Sequence, residues 1–199
     1  GRTAGYDRPV VELLGRMDRL ARAIQKRRLA SGMIVLDLPE IELVLDDEDQ
    51  VVDVAPADAS FSHTIIEMFM VEANEVAEAL TRLGVPHLRR IQPDPPADAE
   101  FKLRQFLRVL GKPIPKKMDR ETMIGLLASV KGKPESFAVN LAVLRSMAQA
   151  EYSPRIEGHF ALASRHYCHF TSPIRRYPDL TIHRLVDLYV QGRLNSRRG

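Results

Sequence analysis

A single cysteine, Cys168, occurs in the 199 residues. One thiol cannot close a disulfide within the chain, nor supply the thiolates of a zinc or iron–sulfur centre, so packing has to hold the fold. Long apolar runs are also lacking, and no stretch approaches the roughly 18 consecutive apolar residues of a membrane helix. The opening GRTAGYDRP is neither an apolar secretory leader nor an acid-poor transit peptide, which points to the cytoplasm and away from a membrane. Basic side chains are missing from one long segment: residues 37–79 carry 13 acidic groups and no Lys or Arg.

What is present is an ordinary globular balance, 45% hydrophobic and 28% charged, enough to bury a core. The net charge of +3 says little, but its distribution says more. Counted along the chain, residues 1–36 balance at +5, residues 37–79 at −13, residues 80–134 at +7 and residues 135–199 at +4. Basic flanks around an acidic middle fit a polyanion-binding groove with a carboxylate-bearing wall; solvated helix faces give a similar count.

Apolar spacing predicts an amphipathic helix over residues 9–29, with Pro9 in its first turn and Gly32 as its stop. Short β-branched runs at 33–36, 41–45 and 51–55 read as strands, the last two a hairpin turning through the acidic residues 46–50. Thr64 and Glu67 have capping-box spacing ahead of a long helix that runs to Gly84. Residues 85–91 read as a further strand. Helices are expected before Gly111, from an Asp119 cap to Ser129, and after Pro134. Repeats and linkers are not evident, and the economical reading is one α+β domain, or a large part of one, with a small mixed sheet flanked by several helices.

The chemistry concentrates in residues 159–185, HFALASRHYCHFTSPIRRYPDLTIHRL. Ser172-Pro173 is a helix-start signature, which places Arg175 and Arg176 in a first turn. Free N–H groups and the positive end of the helix dipole favour an anion there, and two guanidinium forks match phosphate oxygens. Pro178 argues for a separate tight turn over 173–177 before the main helix. On either geometry the site suits a phosphate. Arg175, Asp179, His183 and Asp187 recur at four-residue intervals, compatible with an active-site wall or with an ordinary surface ladder. His159, His166 and His169 have no metal-ligand spacing within a regular helix.

The order of these residues resembles the C-terminal signature of the ribonuclease II/ribonuclease R (RNB) family of 3′-to-5′ exoribonucleases. It runs His159-Phe160-Ala161-Leu162, Tyr167, Thr171-Ser172-Pro173-Ile174-Arg175-Arg176-Tyr177-Pro178-Asp179, then His183-Arg184. Upstream, residues 33–40 and the hairpin look like the family's central strands, and IIEMFMVEANEVA (65–77) is similar to its glutamate-bearing helix. The resemblance covers about residues 14–192. It implies that Arg175 is catalytic, contacting the scissile phosphate. Arg176, Thr171, Ser172, Glu67, Tyr167 and His183 would bind the 3′-terminal nucleotides of single-stranded RNA. Where the family carries a second glutamate the chain has Met68, and where it often carries a base-stacking phenylalanine the chain has Val35 or Leu36.

The resemblance also implies magnesium, held by a D-P-x-x-x-x-x-D-A-x-D type aspartate cluster. That motif does not occur in the sequence, and its ligands are expected upstream, so residues 1–199 read as a partial RNB catalytic domain without the family's RNA-binding barrels, whose arginines would bind RNA but which alone would be inactive. The acidic run Asp46-Asp47-Glu48-Asp49 reads as a solvated hairpin turn. Expected partners are single-stranded RNA and the missing part of the catalytic domain, with no membrane. A non-catalytic RNA-binding or assembly module derived from such a domain is the alternative.

Overall fold

Helix α1 (Arg8–Ala30) forms where the apolar spacing predicts it, with Pro9 in the first turn and Gly32 at φ +92° just past the end. The computed structural model describes residues 5–39, 41–56 and 60–194. Within them helices and two small antiparallel sheets are mixed, an α+β architecture. The chain divides into two units, each built from separated stretches of sequence.

One unit comprises Gly1–Met33, Thr64–Asp94 and Ala148–Gly199. Besides α1 it holds α2 (Phe61–Asn74) from Thr64 onward, α3 (Ala77–Arg82), the strands β3 (Arg89–Ile91) and β4 (Glu151–Ser153), and α7 (Tyr177–Val190). Ala77, Leu80, Cys168 and Ile182 form its buried centre, with Phe170, Leu185 and Val186 packed against them. Arg28 fastens α1 to α2: its buried guanidinium donates to Glu72 Oε1 at 2.9 Å and to Glu75 Oε1 at 2.7 Å. Such a buried cation has to be paired, because an uncompensated one costs several kcal/mol, roughly 3–5.

The other unit comprises Ile34–His63 and Pro95–Met147. It contains the hairpin β1 (Ile41–Leu45) and β2 (Val51–Pro56), and the helices α4 (Ala97–Val109), α5 (Arg120–Val130) and α6 (Ser136–Ser146). Leu103 and Leu107 of α4, Met123, Leu127 and Val130 of α5, and Val139 and Val143 of α6 are buried. Asp119 caps α5 as expected, accepting from Thr122 N–H at 3.0 Å. The acidic run is the hairpin turn, with Asp46 Oδ1 accepting from the N–H groups of Glu48 and Gln50.

Four expectations need correction. Among the described residues, 33–36 pair with no strand; Met33 and Ile34 are buried, and Asp37 N–H is taken by the Asn140 side chain at 2.7 Å. Glu40, at the end of that segment, and Asn195–Gly199 as a sequence tail (residues 195–199) lie outside the described residues. Thr64 does not cap, since α2 already begins at Phe61. The single helix expected to reach Gly84 is broken between Asn74 and Ala77. The cause is a change of acceptor: Glu78 N–H bonds Glu75 O at 2.9 Å, while Asn74 O receives Cys168 N–H at 3.1 Å. Residues 85–91 also yield only the three-residue β3, paired antiparallel with β4.

Candidate functional site

Residues 154–176, between β4 and α7, carry the recognised motif and are held by successive side-chain anchors. Gln92 grips the start: Phe160 N–H donates to its carbonyl at 2.9 Å and Ala161 N–H to its Oε1 at 2.8 Å. Gly158 is required beside it, because a Cβ there would stand 2.6 Å from Ser164 O. Ser164 donates to Glu75 Oε1 at 2.6 Å, which joins the loop to the Arg28 network.

Asn74, buried at the end of α2, is the central anchor. Its Nδ2 donates to Tyr167 Oη at 2.9 Å, and its Oδ1 accepts from Phe170 N–H at 2.9 Å and Thr171 N–H at 3.2 Å. Every polar atom of its amide group is thereby used to set the path of residues 167–171. Burial raises the Tyr167 hydroxyl's pKa, so it stays protonated. His183 secures the same stretch from α7: its Nε2 lies 2.7 Å from Phe170 O and its ring stacks on Phe170 with centroids 4.1 Å apart. A carbonyl can only accept, so Nε2 carries the proton.

The arginines follow. Ser172 O accepts from Arg175 N–H and Arg176 N–H, closing a tight turn over 173–175, and α7 starts only at Tyr177 with Pro178 in its first turn. Arg175 and Arg176 therefore precede the helix rather than occupy its first turn, as Pro178 suggested. Asp179 is fully buried, and its Oδ2 accepts from Ser172 N–H at 2.8 Å and from Arg176 Nη2 at 2.6 Å and Nε at 3.1 Å. Arg176 also reaches Thr171 Oγ1 at 3.5 Å. Arg175 is exposed, and its guanidinium makes no hydrogen bond or ion pair among the described residues. Ile174, at the tip, is 97% exposed.

The four-residue series is thus not a wall. Arg175 lies outside the helix, Asp179 is spent on Arg176 and Ser172, His183 is turned to Phe170, and Asp187 is exposed. Glu67 is exposed on α2, seven residues before Asn74, hence about 10 Å along the same helix face. The polar atoms of Tyr167 and the Nε2 of His183 are engaged with the chain itself, which makes them supports of the loop. Sequence reasoning missed Asn74 and Asp179 as anchors, although Asn74 stands in the helix motif and Asp179 in the arginine motif.

Burial, followed by the charge of Arg176, lowers the His169 pKa to about 4; burial and Arg90 lower that of His159 to about 4. Both imidazoles are neutral at pH 7. Burial pushes the Cys168 thiol up to about 12, which makes it an inert core group. Among the described residues no group of three or more His, Cys, Asp or Glu side chains converges to hold a metal ion. Asp179 Oδ1 is buried without a hydrogen-bond partner among the described residues, but it belongs to no such group, so these residues do not fit a metal centre. Among the described residues no helix is long and apolar enough to cross a membrane.

A family model described as RNB domain matches residues 2–192, starting some way before the motif-based resemblance. Ribonuclease R of Aquifex aeolicus is 39% identical over 186 residues, which cover 92% of this chain and 26% of that protein. Ribonuclease R of Escherichia coli is 35% identical over 181 residues, covering 89% and 22%. Mycoplasma genitalium RNase R, solved in complex with ribose methylated single-stranded RNA, superposes with a TM-score of 0.87 at 31% identity, covering 95% of this chain and 30% of that one. Yeast Ssd1, described as a pseudonuclease, shares the fold with a TM-score of 0.66 at 22% identity, over 100% of this chain and 25% of that one. The chain spans about a quarter of the length of the curated relatives it matches. With ordered motif, fold and a match over residues 2–192 in agreement, the chain belongs to the RNB domain family.

Proposed function

We propose that this chain supplies the arginine-bearing wall of a 3′-to-5′ exoribonuclease site of the ribonuclease II/ribonuclease R type. In this reading it is part of the catalytic domain of a longer cytoplasmic protein that hydrolyses single-stranded RNA to nucleoside 5′-monophosphates. The observation that carries the proposal is the contrast between adjacent arginines: Arg176 is locked by the buried Asp179, whereas Arg175 is exposed at a turn with its guanidinium unengaged. Family membership and the likeness to a ribonuclease solved in complex with ribose methylated single-stranded RNA support it.

Arg175 is the group that meets the scissile phosphate. Its fork matches two phosphate oxygens, and its charge offsets the negative charge that grows on them as water adds to the phosphorus and the 3′ oxygen of the preceding nucleotide departs. Arg176, Thr171 and Ser172 shape the neighbouring backbone site, with Asp179 fixing the arginine. Glu67 addresses the 3′-terminal nucleotide from α2. Tyr167 and His183 serve the substrate by holding residues 167–171 in place. Magnesium is required, and its ligands come from outside the described residues.

The test is a gel assay on 5′-labelled single-stranded RNA, with and without magnesium, using the protein and its Arg175→Ala variant. Stepwise shortening from the 3′ end that depends on magnesium and Arg175 supports the proposal. Retention of RNA with no shortening in the full-length protein contradicts it and favours a non-catalytic RNA-binding module.

A further inference from the structure

Arg90 stands opposite Tyr152 in the β3–β4 ladder, and its guanidinium carbon lies 4.8 Å from the centre of the tyrosine ring. Tyr152 Oη and His169 Nδ1 share a hydrogen bond of 2.8 Å, with the two rings edge to face at 5.5 Å. The backbone is fixed as well, since Arg90 N–H donates to Tyr167 O at 2.9 Å. Yet the Arg90 side chain makes no hydrogen bond or ion pair among the described residues.

The neighbouring arginine shows what a purely structural guanidinium does in this fold. Arg89 is buried and donates to Pro154 O at 2.9 Å and Thr81 Oγ1 at 2.8 Å. Arg28 is likewise paired with Glu72 and Glu75. The Arg90 guanidinium instead makes no hydrogen bond among the described residues. Contact with the tyrosine ring supplies no oxygen acceptor to the guanidinium, whose N–H fork remains suited to bind a phosphate through two parallel hydrogen bonds.

The charges nearby agree. Arg90 and Arg176 both act on the His169 imidazole, and Arg90 acts on His159. The carboxylate close to His169, Asp179, is already committed to Arg176 and Ser172. Two cations thus act on one neutral ring, and one of them, Arg90, has no ion-pair partner among the described residues.

We infer that Arg90, held by Tyr152 and His169, is a second phosphate-binding group that takes a backbone phosphodiester other than the one met by Arg175. The inference rests on the proposed reading of the chain as an RNA-processing surface. Arg90 acts there as a substrate-positioning residue.

The experiment is fluorescence anisotropy of a labelled single-stranded oligonucleotide with the full-length protein, in EDTA and over a range of salt. Arg90→Gln is expected to weaken binding about tenfold and to reduce the slope of log affinity against log salt by about 0.7, the loss of one single-strand phosphate contact. Arg90→Lys keeps the charge without the fork, so the slope returns while affinity stays at least about threefold low; it is the deciding variant should Arg90→Gln unfold. Wild-type affinity and slope in Arg90→Gln, or wild-type affinity in Arg90→Lys when only that variant folds, overturns this inference and leaves the nuclease reading standing. A wild-type protein that does not bind the oligonucleotide overturns both.

Discussion

Asp179 and Arg176 form a fixed pair at the base of the arginine turn: the carboxylate is fully buried and receives both Nη2 and Nε of the guanidinium, at 2.6 and 3.1 Å. The pair sits three residues apart across the start of α7, so it sets where the turn ends and the helix begins. Arg175, one residue earlier, is left to face outward.

Stability should separate the two arginines. Arg176→Ala leaves a buried carboxylate without its cation and is expected to cost about 3–5 kcal/mol. Arg175→Ala removes an exposed side chain that makes no hydrogen bond or ion pair among the described residues and should change stability by less than about 0.5 kcal/mol. Urea denaturation of the two variants checks this, and equal losses would contradict the division of roles.

Asn74→Ala removes the acceptor of two backbone N–H groups and the donor to Tyr167. Each buried group left unpaired costs about 1–3 kcal/mol, partly recovered by water, so a net loss of about 2–4 kcal/mol is expected. Amide hydrogen exchange provides a local readout: protection at Phe170 and Thr171 should fall more than in α5.

The histidines give a pH dependence of definite sign. His159 and His169 have folded-state pKa values lowered to about 4, from an ordinary value of 6.5. Between those limits the unfolded chain binds protons that the folded chain refuses, so stability is present above pH 6.5 and lost as pH falls toward 4. Each histidine contributes at most about 1.4 kcal/mol per pH unit, less where solvent screens it. The thermal midpoint should therefore decline on acidification through this window, and His159→Gln should flatten the decline; a midpoint insensitive to pH from 6.5 to 4.5 would contradict the assignment.

Local signals made part of this legible in the sequence. The hairpin β1–β2 is written in two β-branched runs and an acidic turn, and the α5 cap in Asp119. The phosphate-suited turn is written in Ser172-Pro173, with Pro178 announcing that the helix starts later. What could not be read depends on distant partners. The break after Asn74 arises because Cys168, 94 positions away, takes the carbonyl that a continuous helix would use. Residues 33–36 have the composition of a strand because two of them are buried, and composition does not distinguish burial from pairing. β3 and β4, three residues each, are too short to show a period. In the site, the arginines were visible from their order, whereas the roles of Asn74, Glu75 and Asp179 as anchors exist only once the loop has folded onto them.

The most direct test of the central claim is the kinetics of Arg175→Ala in the full-length protein, with RNA affinity measured on the same preparation. An arginine that answers charge developing at the phosphate should cost about 10²–10³ in turnover, with RNA affinity reduced by less than about tenfold. Turnover equal to wild type would contradict the account, because the exposed guanidinium of Arg175 would then have no part in the reaction.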